Sequence, residues 1–320
     1  MFFSSGTGLE SVNQLLVCPS PDGILTSAAL VRLIGRYSAH SITIHFSGPE
    51  DVQRVRPDQW KSCRTVVFVN LGVACQPRAT RDCVRQLTGC GHRLVGLCDE
   101  HGARAWRKVL GDDVYNNLLI KPQDRHDSTY KSSSAVLRKF CFDNNIPLDE
   151  HTHNLLEAGE AADVGCYGFP LARWVNEVVK VSGRDFSRKH HLIEWFARNA
   201  WVDDEIRAWR DEYRVLATNQ AEILASMQDI GDGIVQAEMG MRSYDMTSLK
   251  EAMCQRGQVA VLTNCTQTYL LTNRDSIKLK EILRVLAPTL HPIKASGWKV
   301  VVKNEDLSEA LAAIRVAVGT

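Results

Sequence analysis

The 320-residue sequence contains ten cysteines but no Cys-x-x-Cys pair, and their wide spacing, from Cys18 to Cys265, lacks the pattern of a small disulfide-stapled domain. They are expected to be free, mostly buried thiols of a reducing cytosol. No run of about 18 apolar residues occurs, so no helical membrane span is expected. Met1–Gly6 has neither the basic start nor the long apolar stretch of a secretion signal, and a cytoplasmic location without a membrane partner is expected. Charge of one sign is also scarce: 38 Lys and Arg stand against 37 Asp and Glu, a formal net charge of +1. No global field steers the chain toward nucleic acid, and any basic groove has to be local. There is no internal repeat and no low-complexity tract.

What the chain does have is length enough for two domains with proper cores and one organising stretch, Leu15 to Leu30. The apolar run Leu15-Leu16-Val17 ends at Cys18 and reads as a buried strand. Pro19 to Gly23 read as a turn that Gly23 sharpens, and a helical pattern opens at Ser27-Ala28-Ala29-Leu30. This is a βα corner carrying one carboxylate, Asp22. Ligands of open α/β sheets sit outside the carboxyl ends of the strands at such corners, although a structural turn with a surface Asp accounts for the stretch as well. Ser27 and Ala28 would let the helix lie close to whatever binds.

Further strands follow. Ser41–Phe46 alternates with period two, and Arg64–Gly72 is a β-branched run of the kind buried on both faces of a parallel sheet. Leu94–Cys98 is another strand, leading into Asp99-Glu100-His101 and a helix from Ala103 to Val109. The hydroxyls of 128–134 crowd ahead of a helix. They would cap it, and the free N–H groups of a helix start also suit phosphate. The pairs His151/His153 and His190/His191 read as solvated rather than metal-bound. From about Ser182 to Gln228 long amphipathic helices carry Trp195, Trp201 and Trp209. These rings are expected to make core or homodimer contacts more readily than to stack on bases. Strands at Ile234–Ala237, Val259–Leu262 and Lys299–Val302 and helices at Ser248–Cys254, Ile277–Leu286 and Leu307–Val316 make up a second domain.

The first stretch resembles the opening motif of the DHH phosphoesterases, the superfamily of RecJ-type exonucleases, oligoribonucleases and family II pyrophosphatases. Pro21-Asp22-Gly23 and Ser27-Ala28 match it. Cys18 stands at the family's His, Ser20 at its Asn or Asp, and Ile24 at the last Asp of the oligoribonuclease form. Asn70 ends a strand where the family has a metal-bridging Asp. Asp99 and His101 match the Asp-His-His signature, with Glu100 in place of its first His. Asp163, in Asp-x-Gly after an apolar helix, resembles the last acidic motif, with Glu157 or Glu160 as further carboxylates. Arg274, His291, Ala295, Ser296 and Gly297 resemble the phosphate-binding motif of the DHHA1 domain. That motif's three glycines are replaced here by Pro288-Thr289-Leu290, so its phosphate cradle should be altered or closed.

The resemblance implies an α/β protein: a mostly parallel-sheet DHH-like domain over residues 1–181, a helical linker over 182–228 and a smaller mixed α/β DHHA1-like domain over 229–320. It implies that Asp99 and His101 are catalytic, and that Ser133, Arg274, His291, Ser296 and Gly297 bind substrate. Metal would be held by Asp22, Glu100 and Asp163, with Cys18 and Asn70 at the remaining metal positions. An amide is a weak neutral ligand, so at most one Mn or Mg ion is expected instead of the family's two. Zinc is not expected, although Cys18 and His101 with Asp22 or Asp163 would suit its tetrahedron. The leading expectation is a diverged DHH-like protein that binds a nucleotide or oligonucleotide end in a crevice where Asp22, His101 and Asp163 face Arg274 and His291, its two-metal catalysis lost or altered. The alternatives are a phosphodiesterase with a reduced metal site and a non-catalytic assembly subunit.

Overall fold

The structure, a computed structural model, describes residues 8–38, 41–48, 51–60, 64–73, 77–100, 102–122, 132–166, 168–240, 245–274, 276–295 and 299–318. The chain divides into two compact units, Met1–Arg210 and Asp211–Thr320.

The first unit contains β1 (Gln14–Val17), α1 (Pro21–Gly35), β2 (Thr43–Phe46), β3 (Thr65–Val69), α2 (Pro77–Gly89), β4 (Arg93–Cys98), α3 (Ala103–Leu110) and α4 (Asp112–Asn116). It continues with α5 (Ser133–Asp143), α6 (Glu150–Asp163), α7 (Pro170–Ser182) and α8 (Phe186–Arg198); α9 (Asp204–Ala225) runs through the division. The strands form a parallel sheet in the order β2-β1-β3-β4. Alternation along each strand feeds two cores. Leu15, Val17, Val67 and Val69 face the helices α1 and α5 to α8, while Leu16, Val66 and Phe68 face the opposite side with Leu87 and Trp106. The β-branched run of β3 is therefore covered on both faces, as expected of a central parallel strand.

Among the local readings that change, two bear on the first unit's strand ends and flank; α7 and the strand Gln267–Leu271 are also not expected from the sequence. Asp22 and Gly23 lie inside the first turn of α1 and not in a turn before it. Ser20 is the N-cap, accepting from the Gly23 N–H at 3.1 Å, and Pro21 takes the first helical position, where its missing N–H costs nothing. Gly23 is needed for close approach: a Cβ there would stand 2.2 Å from the Cys18 carbonyl oxygen. Ser27 and Ala28 are fully buried against the protein itself. The second change is α2, which has no counterpart in the reading of the sequence. It buries only Thr80, Cys83 and Leu87, so charge masks its period.

The helix α6 is anchored by Asp149, its N-cap, which accepts from the Thr152 N–H at 2.7 Å and from Arg32 at 2.6 Å and also pairs with Arg36. Burial acts to raise the Asp149 carboxyl, but Arg32, Thr152 and Arg36 outweigh it and hold it well below the carboxylate range. Asp149→Ala is expected to cost about 1–2 kcal/mol for the lost cap, measured by chemical denaturation. Asp149→Asn should recover part of that, because an amide still caps.

The second unit contains β5 (Gln228–Asp229), β6 (Ile234–Glu238), α10 (Met246–Cys254), β7 (Val259–Thr263), β8 (Gln267–Leu271), α11 (Leu279–Leu286), β9 (Lys294–Ala295), β10 (Lys299–Lys303) and α12 (Leu307–Val318). Its six-stranded sheet runs β5-β6-β7-β8-β10-β9 and is mixed, with β6 and β7 parallel. Val259 and Val261 pack beneath α11 and α12, while Ala260 and Leu262 pack toward α10. Among the described residues no helix is long and apolar enough to cross a membrane.

Candidate functional site at the strand ends

The carboxyl edge of the parallel sheet gathers most of the first-unit candidates. β1 ends before Cys18, β3 before Asn70 and β4 before Asp99 and Glu100. Asp22, 2% exposed, sits in the first turn of α1. Its Oδ1 accepts from the hydroxyls of Thr26 and Ser134, both at 2.9 Å, and its Oδ2 accepts from the Ser133 N–H at 3.1 Å. The Thr26 and Ser134 hydroxyls are themselves 2.6 Å apart. Burial, with the charge of Asp163 added, pushes the Asp22 carboxyl up to about 6 in spite of these three donors. The two carboxylates therefore act on each other, with Asp163 exposed at the end of α6.

Asn70 holds a left-handed backbone conformation, φ 54°, which short polar side chains tolerate. Its Nδ2 donates to Ser20 Oγ at 2.9 Å, the same oxygen that caps α1. Asp99, fully buried, accepts from the Gly72 N–H at 2.5 Å. Ser133 Oγ donates to Glu100 at 3.3 Å. Burial pushes the half-buried Cys18 thiol up; bonds with Ser20 act downward, and Asp99 and Glu100 add to the rise. A thiol pushed upward in this way is not a ready nucleophile.

The Ser133 N–H at the start of α5, a group suited to phosphate, thus points at a carboxylate of the chain itself, and Ser132 caps that helix through the Ala135 N–H. His101, Ser296 and Gly297 lie outside the described residues. Arg274 and His291 are exposed on the second unit, and Leu290, which replaces a family glycine, is buried in that unit's core. His153 pairs with Glu157, His190 with Glu194 and His191 with Asp203. Trp195 and Trp209 pack on the first unit's core around His191, and Trp201 is exposed.

Three participants escape a reading of the sequence. Thr26 lies one helical turn after Asp22, a signal that was present. Gly159, inside α6, is where a Cβ would stand 2.0 Å from Ser134 Oγ and 3.0 Å from Asp22 Oδ1; an interior helical glycine is a cue to such close approach. Lys189, on α8, is 3% exposed, and nothing in Phe186-Ser187-Arg188-Lys189 marks it as buried.

Among the described residues no three His, Cys, Asp or Glu side chains are grouped closely enough to hold a metal ion. Two divalent cations do not fit the donors present. Cys18 offers a soft sulfur where a hard cation wants oxygen, Asn70 is neutral with its amide nitrogen turned to Ser20, and Asp99 is turned to Gly72. Asp22 and Asp163, which act on each other, offer hard oxygen donors suited to such an ion, but with Glu100 they do not form a close group of three.

A parallel sheet with carboxylates and hydroxyls at its strand ends is an open α/β arrangement of the kind that takes ligands at that edge. No family model and no curated protein matches the chain. Solved structures do. The pGpG-specific phosphodiesterase PggH from Vibrio cholerae superposes with a TM-score of 0.63 at 11% identity, over 96% of this chain and 99% of its own. RecJ from Thermus thermophilus in complex with Mn2+ gives 0.58 at 12% identity, over 96% of this chain and 52% of its own. A DHH domain from a member of a family of ribosomal proteins gives 0.53 at 13%, over 97% of this chain and 87% of its own. The chain has the fold of the DHH phosphoesterases.

Proposed function

We propose that the strand-end site of the first unit binds a phosphate-bearing ligand, a nucleotide or a nucleic acid end, and that ordinary two-metal hydrolysis is lost or altered. The observation that carries this reading is the state of Asp22. The one carboxylate of the opening motif already accepts from Thr26, Ser134 and the Ser133 N–H, and Asn70, at the end of the neighbouring strand, brings no negative charge. The fold places the site where such sheets take ligands, and the solved relatives with this fold include a pGpG phosphodiesterase and a Mn2+-bound RecJ. On the second unit, Arg274 is the residue best suited to bind a phosphate group, since a guanidinium can meet two oxygens at once.

The mutual repulsion of Asp22 and Asp163 favours a second reading, a phosphodiesterase using one Mn or Mg ion on Asp22, Asp163 and Glu100. Such an ion would supply charge neutralisation and a polarised water. Metal analysis of the purified protein, with Mn-dependent hydrolysis of short oligonucleotides and of a p-nitrophenyl phosphodiester, separates the two. Turnover that disappears in Asp163→Ala defeats the first reading.

Asn70→Asp is the informative gain-of-function test. The Ser20 hydroxyl can reverse and donate to the new carboxylate, and aspartate also tolerates the backbone conformation. Mn2+ affinity is expected to rise by about 10-fold or more, the worth of roughly one charge-assisted contact, as read by isothermal titration. An unchanged affinity would show that residue 70 does not face the cation.

A further inference from the structure

Lys189 is a buried cation with no ion-pair partner among the described residues. Its Nζ donates to the Gly183 carbonyl oxygen and lies 5.3 Å from the centre of the Phe186 ring. An ammonium carries three donors, and burying one without a counter-charge is costly.

Its place in the fold explains why such a cost would be tolerated. Phe186, which opens α8, stacks on Phe46 with ring centroids 5.3 Å apart. Phe46 ends β2 and is the register partner of Val17, the last residue of β1. The start of α8 therefore sits over the carboxyl edge of the sheet, beside Cys18. Burial lowers the Lys189 amine, while Cys18 and Asp185 act to raise it, so it lies within electrostatic reach of the residue that follows β1. Cys18 in turn feels Asp99 and Glu100. Lys189 thus stands on the β2 side of the site, and Asp99 and Glu100 on the β4 side.

We propose that Lys189 is an oxyanion-binding residue of the strand-end site, its ammonium meeting a phosphate group held over the end of β1. This rests on the reading that the site takes a phosphate-bearing ligand, and it adds the residue that supplies positive charge from within the first unit. The lysine would contribute a fixed charge at a corner whose own metal donors are reduced.

The test compares binding of inorganic phosphate, pyrophosphate and a 5′-phosphorylated dinucleotide by the wild type, Lys189→Met and Lys189→Arg, with melting temperatures measured for the unliganded proteins. Lys189→Met should weaken binding of the probes about 10- to 100-fold, and Lys189→Arg should retain most of it. The unliganded Lys189→Met protein should melt higher than the wild type, because a buried charge that makes no ion pair has been removed. A lysine needed only to hold Gly183 gives the reverse: a lower melting temperature with binding unchanged, and the proposal falls. In the wild type, the side-chain NMR signal of Lys189 should move on addition of phosphate; a signal that stays put overturns the proposal even if Lys189→Met does not fold. Failure of the wild type to bind any probe overturns the phosphate-site reading itself. Wild-type binding that Lys189→Met leaves intact overturns the role of Lys189 alone.

Discussion

Gly159→Ala is expected to destabilise the first unit by about 2–4 kcal/mol, the sum of an overpacked contact and a disturbed buried carboxylate. The new methyl would arrive 2.0 Å from Ser134 Oγ and 3.0 Å from Asp22 Oδ1. Ser134 is fully buried and has no solvent side to swing into, and turning it away removes a donor from Asp22. The loss should therefore be coupled to Ser134. In a double-mutant cycle, Ser134→Ala makes room for the methyl, so the two changes together should cost clearly less than their sum. Denaturant melts of the four proteins provide the measurement. Additive effects would mean that α6 moves as a whole and that the close approach of Gly159 to the hydroxyl pair does not set the packing.

The second large effect is a pH dependence centred on Asp22. Its folded-state pKa of about 6 lies above the ordinary value of 3.8, so the folded protein holds the proton more tightly than the unfolded chain does. The associated stability is fully present below about pH 4 and is lost as pH rises through 6. The shift corresponds to a change on the order of 3 kcal/mol. Asp149 behaves oppositely: its carboxyl is held low, so its contribution is present above about pH 4 and declines only as the solution becomes more acid. Glu160, raised by burial against the opposing charge of Arg138, adds a change of the same sign as Asp22. Subtracting the stability profile of Asp22→Asn from that of the wild type, both in chelator, isolates the Asp22 part. The difference should move against the wild type between pH 4 and 7. A flat difference would mean that Asp22 is ionised at little cost. Added Mn2+ should restore wild-type stability at the upper end of this range if Asp22 and Asp163 share a cation, and should leave Asp22→Asn unmoved.

These effects turn on contacts of different legibility. Leu15-Leu16-Val17 and Val66-Val67-Phe68-Val69 announce buried parallel strands, and Asp22, Asn70, Asp99 and Glu100 follow such runs closely enough that their gathering at one sheet edge can be read from the chain. Thr26 is reachable by counting one helical turn from Asp22. The partners of Asp22 are harder to see. Ser133 and Ser134 lie more than a hundred residues away, and a row of serines before a helix reads equally well as a cap. Lys189 looks like any other charge on an amphipathic helix until α8 is laid across the strand ends.

By itself, then, the sequence determined the two-domain α/β architecture, because strand burial and helix periodicity are local patterns in side-chain polarity. It also determined that the motifs resembling those of the DHH family are short of metal donors, because chemical identity at Cys18, Ser20, Ile24 and Asn70 needs no coordinates. Only the tertiary structure decided that Asp22 is satisfied by Thr26, Ser133 and Ser134, that Gly159 leaves room for that arrangement, and that Lys189 is buried with no ion-pair partner among the described residues. Hydrogen-bond geometry and desolvation depend on which surfaces are pressed together. No periodicity along the chain encodes that.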